Sequence, residues 1–286
     1  MNTLRQRMID DLKVRNRSLR TIQSYVAHVA NFARYFGKSP ELLGAEEIRQ
    51  YQVYLVEQRH VSWSNYNQAV CALRFLYRHT LKRDWVVEHI PFPRQPKKLP
   101  LVLSQGEVQR LLQACHSLKL RALLTTAYAA GLRLNELTHL QLSDIDSARM
   151  VLRVRQGKGQ KDRNVMLSPT LLELLRFYWR LERPSKWLFP SNKDAQQPVN
   201  HSVVQRACQQ AGRDAGLSKP VTVRMLRHCF ATHLLEAGTS IRVIQTLLGH
   251  SNVSTTQIYA RVSPEAVTRT ISPLELLAMA DQTREQ

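Results

Sequence analysis

Three side chains suited to handling an anionic ester fall within one stretch, Thr222 to Val262: Arg227, His250 and Tyr259. A guanidinium forks onto phosphate and keeps its charge, an imidazole can donate a hydrogen bond, and a phenol is an oxygen nucleophile. The residues around them say how they would be held. Leu226, Phe230 and Leu234 recur at helical spacing, so one face of this segment is committed to a core. Arg227 and His228 fall beside that stripe. A second short helix follows, with Ile241, Ile244, Leu247 and Leu248 as its apolar face and Gly249 where a left-handed C′ residue belongs. His250 is therefore expected just past a helix end. Tyr259 lies in a third short segment that Ser251 or Ser254 would cap. The three groups are expected on the rims of three packed helices.

Leu226-Arg227-His228-Cys229-Phe230-Ala231-Thr232-His233-Leu234-Leu235, then Leu247-Leu248-Gly249-His250, then Tyr259 resemble the second half of the active site of tyrosine recombinases, the Xer and phage-integrase family. Several motifs occur in order at family spacing, which makes the match specific. The resemblance implies a further arginine and a lysine upstream. Leu132-Arg133-Leu134-Asn135-Glu136-Leu137, directly after Gly131, is similar to the family's first box, and Lys158 of Gly157-Lys158-Gly159 matches its hairpin lysine. Glu136 could orient Arg133 or face water, and the family parallel favours orientation.

The resemblance implies a chemistry with physical reasons behind each residue type. A phosphodiester under attack accumulates charge on its non-bridging oxygens, which preorganised cations stabilise. Arg133 and Arg227 would be those clamps, Tyr259 the nucleophile, Lys158 the general acid for the departing 5′ oxygen, and His250 a hydrogen-bond donor to the phosphate. A phosphotyrosyl link stores the bond's free energy for religation, so neither ATP nor a metal cofactor is expected. One position departs from the family: its H-x-x-R box would put histidine at 224, where this chain has Arg224. A guanidinium has no accepting lone pair, so Arg224 is not a base. It can bind phosphate and lower the tyrosine's pKa through its charge, and a slower enzyme is expected. His228 is left outside the inner site, and His233 is read as a core or hydrogen-bonded position.

The elements that must position these groups follow from pattern. Residues 1–88 read as helical. Ser18 caps a helix with Ile22, Tyr25, Val29, Phe32 and Phe36, ended by Gly37; a second runs near Ala45 to Gln58; a third follows Ser62 or Ser64. This part resembles the family's helical core-binding, SAM-like domain, which implies a DNA clamp. Residues 89–100 hold four prolines with Arg94, Lys97 and Lys98, giving an extended basic linker. Residues 101–286 then open on a capping box at Ser104 and Glu107, run through a helix from Leu120 to Ala130 that stops at Gly131, and place Arg133 in the first turn of the next helix. Met150 to Arg155 alternates and Val165 to Leu167 returns, a β-hairpin with Lys158 near its tip. The expected fold is mostly α with a small antiparallel β-sheet: a helical core-binding domain followed by an α+β tyrosine-recombinase catalytic domain.

Composition agrees with a polyanionic partner. The 286 residues carry 41 Lys and Arg against 22 Asp and Glu, a net +19, of which residues 1–99 hold +9. Basic charge spread over both halves points to double-stranded DNA gripped by both. No apolar run is long enough for a membrane span and no secretory signal core opens the chain, so a cytoplasmic protein is expected. Cys71, Cys115, Cys208 and Cys229 have no metal-ligand spacing and read as reduced, mostly buried thiols. Ile271, Leu274, Leu276, Leu277 and Met279 near the end form an apolar segment that, in the family, docks on a neighbour, implying a homotetramer on two DNA sites. Two rivals stay open: a type IB topoisomerase-like enzyme, and a DNA-binding regulator with impaired catalysis.

Overall fold

The computed structural model describes residues 3–84, 90, 100–155 and 162–259. The chain forms two compact units, Met1–Lys97 and Lys98–Gln286.

The first unit is helical: α1 (Thr3–Val14), α2 (Leu19–Phe36), α3 (Ala45–Glu57) and α4 (Trp63–Phe75), the last continuing as a π-helical turn, Leu76–Thr80. Ser18 caps α2 by accepting from the Thr21 amide, Gly37 ends it in the left-handed region, and Ser62 caps α4. Their apolar faces meet in a core of Leu4, Met8, Leu12, Val29, Phe32, Ile48, Tyr51, Leu73 and Tyr77. Tyr25 and Phe36 are only half-buried at its edge. The π-helical turn and helix α1, which the hydrophobic pattern did not single out, complete this core.

The second unit runs α5 (Gln105–Gln113), α6 (Leu118–Ala129), α7 (Leu134–Thr138), strands β1 (Ile145–Asp146), β2 (Val151–Val154) and β3 (Arg163–Met166), then α8 (Pro169–Glu182), α9 (His201–Asp214), α10 (Val223–Glu236) and α11 (Ile241–Leu248). The Ser104–Glu107 capping box opens α5 as expected, with both reciprocal hydrogen bonds made. The sheet is antiparallel in the order β1-β2-β3, with Leu152 opposite Val165 and Val154 opposite Arg163. The hairpin is therefore present, with a third short strand added at its edge. Its tip, including Lys158, lies outside the described residues, as does the apolar segment after Tyr259.

One core beneath the site joins Leu111, Leu123, Ala127, Leu152, Val165, Leu175, Phe189, Leu226 and Cys229. A smaller one, of Phe230, Ala231, Ile244, Leu248 and Tyr259, fastens α11 and the segment after it onto α10. Cys115, Cys208 and Cys229 are buried free thiols and Cys71 is half-buried. Among the described residues no helix is long and apolar enough to cross a membrane.

Candidate active site

Two left-handed glycines shape the site. Gly131, at φ +57, lets the Leu132 amide turn back onto the Ala127 carbonyl and close α6. The chain then enters the single turn of α7 with Arg133 at its N-cap, one position earlier than the first helical residue. Gly249, at φ +61, closes α11 in the same way, and His250 follows with its amide on the Gln245 carbonyl. Thr222 starts α10 by accepting from the Met225 amide, which sets the register that carries Arg224, Arg227 and His228.

Arg227 is not beside the core but in it, 5% exposed. Its Nη1 donates to the Gly131 carbonyl at 2.7 Å and its Nη2 to the Leu248 carbonyl at 2.6 Å, so it ties together the ends of α6 and α11. Helix C-termini are the negative ends of their dipoles, a favourable place for a cation. Nη2 also lies 3.1 Å from His250 Nε2. Burial, with the charges of Arg133 and Arg163 beside it, lowers the Arg227 pKa to about 9, which leaves it cationic at neutral pH.

Arg133 reaches the same pocket: Nη1 donates to Glu136 Oε1 at 2.7 Å and Nη2 to the Gly249 carbonyl at 3.3 Å, while its amide donates to Glu136 Oε2. Glu136 is buried and does orient Arg133, but it holds a second arginine more firmly. Arg163 of β3 sends Nη1 and Nη2 to the two carboxylate oxygens at 2.9 and 2.8 Å, and Nε to the Leu247 carbonyl at 2.7 Å. Arg227 Nη1 stands 3.8 Å from Glu136 Oε2. Burial alone would raise the Glu136 pKa; the hydrogen bonds and charge of Arg163, with those of Arg133, overcome it and hold the carboxyl at about 2. Three guanidiniums thus surround one carboxylate, and the pocket keeps a positive excess. Sequence reading missed Arg163. Its signal was there: Arg163 alternates with Val165 on β3 and Leu167 just beyond it, both buried.

His250 is fixed by its neighbours. Arginine only donates, so Nε2 accepts from Arg227, which places the ring proton on Nδ1, donating to Thr256 Oγ1 at 2.9 Å. In this arrangement His250 turns a lone pair, not a proton, toward Arg227; donating to a phosphate from Nε2 requires a change of tautomer or a second proton. The segment after it is capped by Asn252, whose side chain accepts from the Ser254 amide, rather than by Ser251 or Ser254. Asn precedes the turn with the same short acceptor, which is why serine was not needed.

Tyr259 follows that turn and is buried, 2% exposed, against Phe230, Ala231, Ile244 and Leu248. Its hydroxyl lies 3.0 Å from Nδ1 of His228, the histidine that sequence reading left out. Arg224, one helical turn before His228, is exposed. Its charge, with those of Arg227 and Arg133, pulls the Tyr259 pKa down, but burial is the larger influence and the net shift is upward. Arg224 does lower the phenol's pKa through its charge as expected, but desolvation outweighs the cations and leaves the net shift upward. Burial, with Arg224 and Arg227 nearby, lowers His228 to about 4, so its imidazole is neutral at physiological pH. His233 is internal, between the Tyr128 hydroxyl at 2.8 Å and the Leu103 carbonyl at 2.9 Å. The structure thus brings Arg133, His250 and Tyr259, on neighbouring element ends, around Arg227 within α10, and adds Glu136, Arg163 and His228.

Comparison with known proteins follows the same lines. The model of the phage integrase family matches residues 102–266, and that of the phage integrase N-terminal SAM-like domain matches residues 4–86. The Sinorhizobium fredii protein y4qK is 54% identical over 97% of this chain and 90% of its own length. Tyrosine recombinase XerA of Pyrococcus horikoshii is 33% identical over 93% of this chain and 91% of its own. In fold, the chain is similar to the XerH site-specific recombinase in a post-cleavage complex with its palindromic difH substrate, with a TM-score of 0.72 at 23% identity over 93% of this chain and 83% of that one.

Proposed function

The chain belongs to the phage integrase family, and from that premise we infer that it is a site-specific DNA recombinase that cuts and rejoins strands through a covalent 3′-phosphotyrosyl intermediate. Tyr259 attacks the scissile phosphate, Arg133 and Arg227 neutralise the charge that builds on its non-bridging oxygens, and His250 donates a hydrogen bond to the phosphate. Lys158, outside the described residues, gives its proton to the departing 5′ oxygen. Arg224, exposed on the helix of Arg227, supplies a further phosphate contact. The observation that carries this reading is the convergence on one buried carboxylate, Glu136, of guanidiniums from three separate elements. Such a cluster leaves cationic charge aimed at one spot, fixed before any substrate arrives.

Residues 1–88 serve as the core-binding clamp, 89–100 as a basic linker and 101–286 as the catalytic domain, so that DNA is held by both halves. Recombination between two sites breaks two strands in each, and one tyrosine per chain then calls for a homotetramer on two duplexes, working in the cytoplasm where its substrate is. Removing the residues after 270 should abolish pairing of two sites while sparing binding to one; intact pairing would contradict the tetramer's use of that segment. Neither rival is favoured: relatives are recombinases, and every position expected for strand cleavage except 224 is filled.

The decisive experiment offers wild type and Tyr259→Phe a duplex nicked beside the cleavage site, recovered by covalent capture from a pool of nicked duplexes. A protein–DNA adduct with the first and none with the second is expected. An adduct that survives the substitution would refute the assignment of the nucleophile.

A further inference from the structure

The absence of a histidine at position 224 leaves the phenolic proton without the expected acceptor, yet the structure places another one. We propose that His228 is the general base of strand cleavage, its Nδ1 accepting the Tyr259 proton across the 3.0 Å contact already formed. This rests on Tyr259 being the nucleophile. Heavy-atom separation is within the range over which a base takes a proton directly, and the two rings, 5.6 Å apart and tilted at 52°, are not stacked on one another.

Three further features support the role. His228 is set on a rigid element, the middle of α10, one residue after the arginine that ties α6 to α11. A base must be neutral before it acts, and burial first, then Arg224 one turn before it on the same helix face and Arg227 beside it, keep His228 so. The same cations, with Arg133 from the neighbouring element, favour the phenolate that forms when the proton leaves. Arg224 is thus no replacement for a base. It sits four residues before His228, where i and i+4 side chains share a face, and adds its charge to the burial that keeps that imidazole unprotonated.

The step balances. As the Tyr259 Oη–P bond forms and the P–O5′ bond breaks, the phenolic proton passes to His228 Nδ1, and the departing 5′ oxygen takes a proton from the ammonium proposed above as general acid. Rejoining reverses each transfer, with imidazolium returning its proton to the phenolate. The charge that imidazolium adds beside Arg224 and Arg227 disfavours its persistence, which helps drive the return.

The test is single-turnover cleavage of the captured nicked duplex across pH. In the wild type the rate should fall as pH drops through the titration of His228. His228→Asn should slow cleavage by about 10² to 10⁴, leave affinity for the intact duplex unchanged, and abolish that acid limb. His228→Gln, which places an amide farther out, guards against a folding defect in the first variant. Arg224→His should restore part of the rate lost in His228→Asn, because it supplies an accepting lone pair on the same helix face. Cleavage by His228→Asn at the wild-type rate, or a slower rate with an unaltered acid limb, would overturn the inference while leaving Tyr259 as nucleophile. No adduct in wild type, or an adduct in Tyr259→Phe, would overturn both.

Discussion

Glu136 and Arg163 face one another from α7 and β3 with two parallel N–H···O contacts of 2.9 and 2.8 Å. This fork links the sheet to the helix that opens at Arg133, and its carboxylate is shared with Arg133. It makes the strand register part of the site, since Arg163 can reach Glu136 only while Val165 and Leu167 stay buried on the same face.

Glu136→Gln should be strongly destabilising. Removing one partner of a buried ion pair leaves the other charges uncompensated, at a cost of about 3 to 5 kcal/mol. Denaturant unfolding of the variant against wild type measures it, and a loss below about 1 kcal/mol would mean that solvent already screens the cluster.

Acid should weaken the fold in two windows. His228 is lowered to about 4 from its ordinary 6.5, and Glu136 to about 2 from 4.5. In both cases the unfolded chain binds the proton first, so stability is full above the unfolded value and drains as pH falls toward the folded one. Thermal melts between pH 7 and pH 4 should show the His228 contribution, flattened in His228→Asn. The Glu136 contribution should follow between pH 4.5 and pH 2 and disappear in Glu136→Gln. Wild-type slopes retained by both variants would refute these assignments.

Gly131→Ala should damage the fold and the site together. Gly131 sits at φ +57, where a side chain is strained, and an added Cβ would overlap the ring of Phe230, including Cε1 at 2.7 Å. Left-handed strain and overpacking each cost about 1 to 3 kcal/mol. Because the Gly131 carbonyl accepts from Arg227, cleavage should fall by more than the loss of folded protein explains. Calorimetry paired with single-turnover rates separates the two.

Binding should depend steeply on salt. A chain of net +19 that contacts roughly 6 to 10 phosphates loses about 10³ to 10⁵ in affinity between about 50 and 200 mM salt. A titration by fluorescence anisotropy gives the slope, and a shallow one would mean that few of the basic side chains meet the backbone.

What could be read from the sequence was whatever repeats along one element. The α10 stripe, the Gly249 stop and the Ser104 box each declare themselves within a few residues, and they locate Arg227, His250 and the start of the catalytic unit. Contacts between elements were not legible. The His228–Tyr259 pair joins residues 31 apart and exists only because α11 folds back onto α10. Arg163 looked like an ordinary strand arginine because its partner is 27 residues away on another element. The net effect on the Tyr259 phenol also escaped, since the arginines could be counted in the sequence but the burial that outweighs them could not.

Arg227 grips the carbonyls of Gly131 and Leu248, so the guanidinium proposed to serve the reaction is also a keystone of the architecture. A descendant that gave up cutting DNA yet kept its shape would shed the phenol at 259 more readily than the cation at 227. Survival of that arginine in some silent cousin would testify to masonry, and only the hydroxyl would testify to trade.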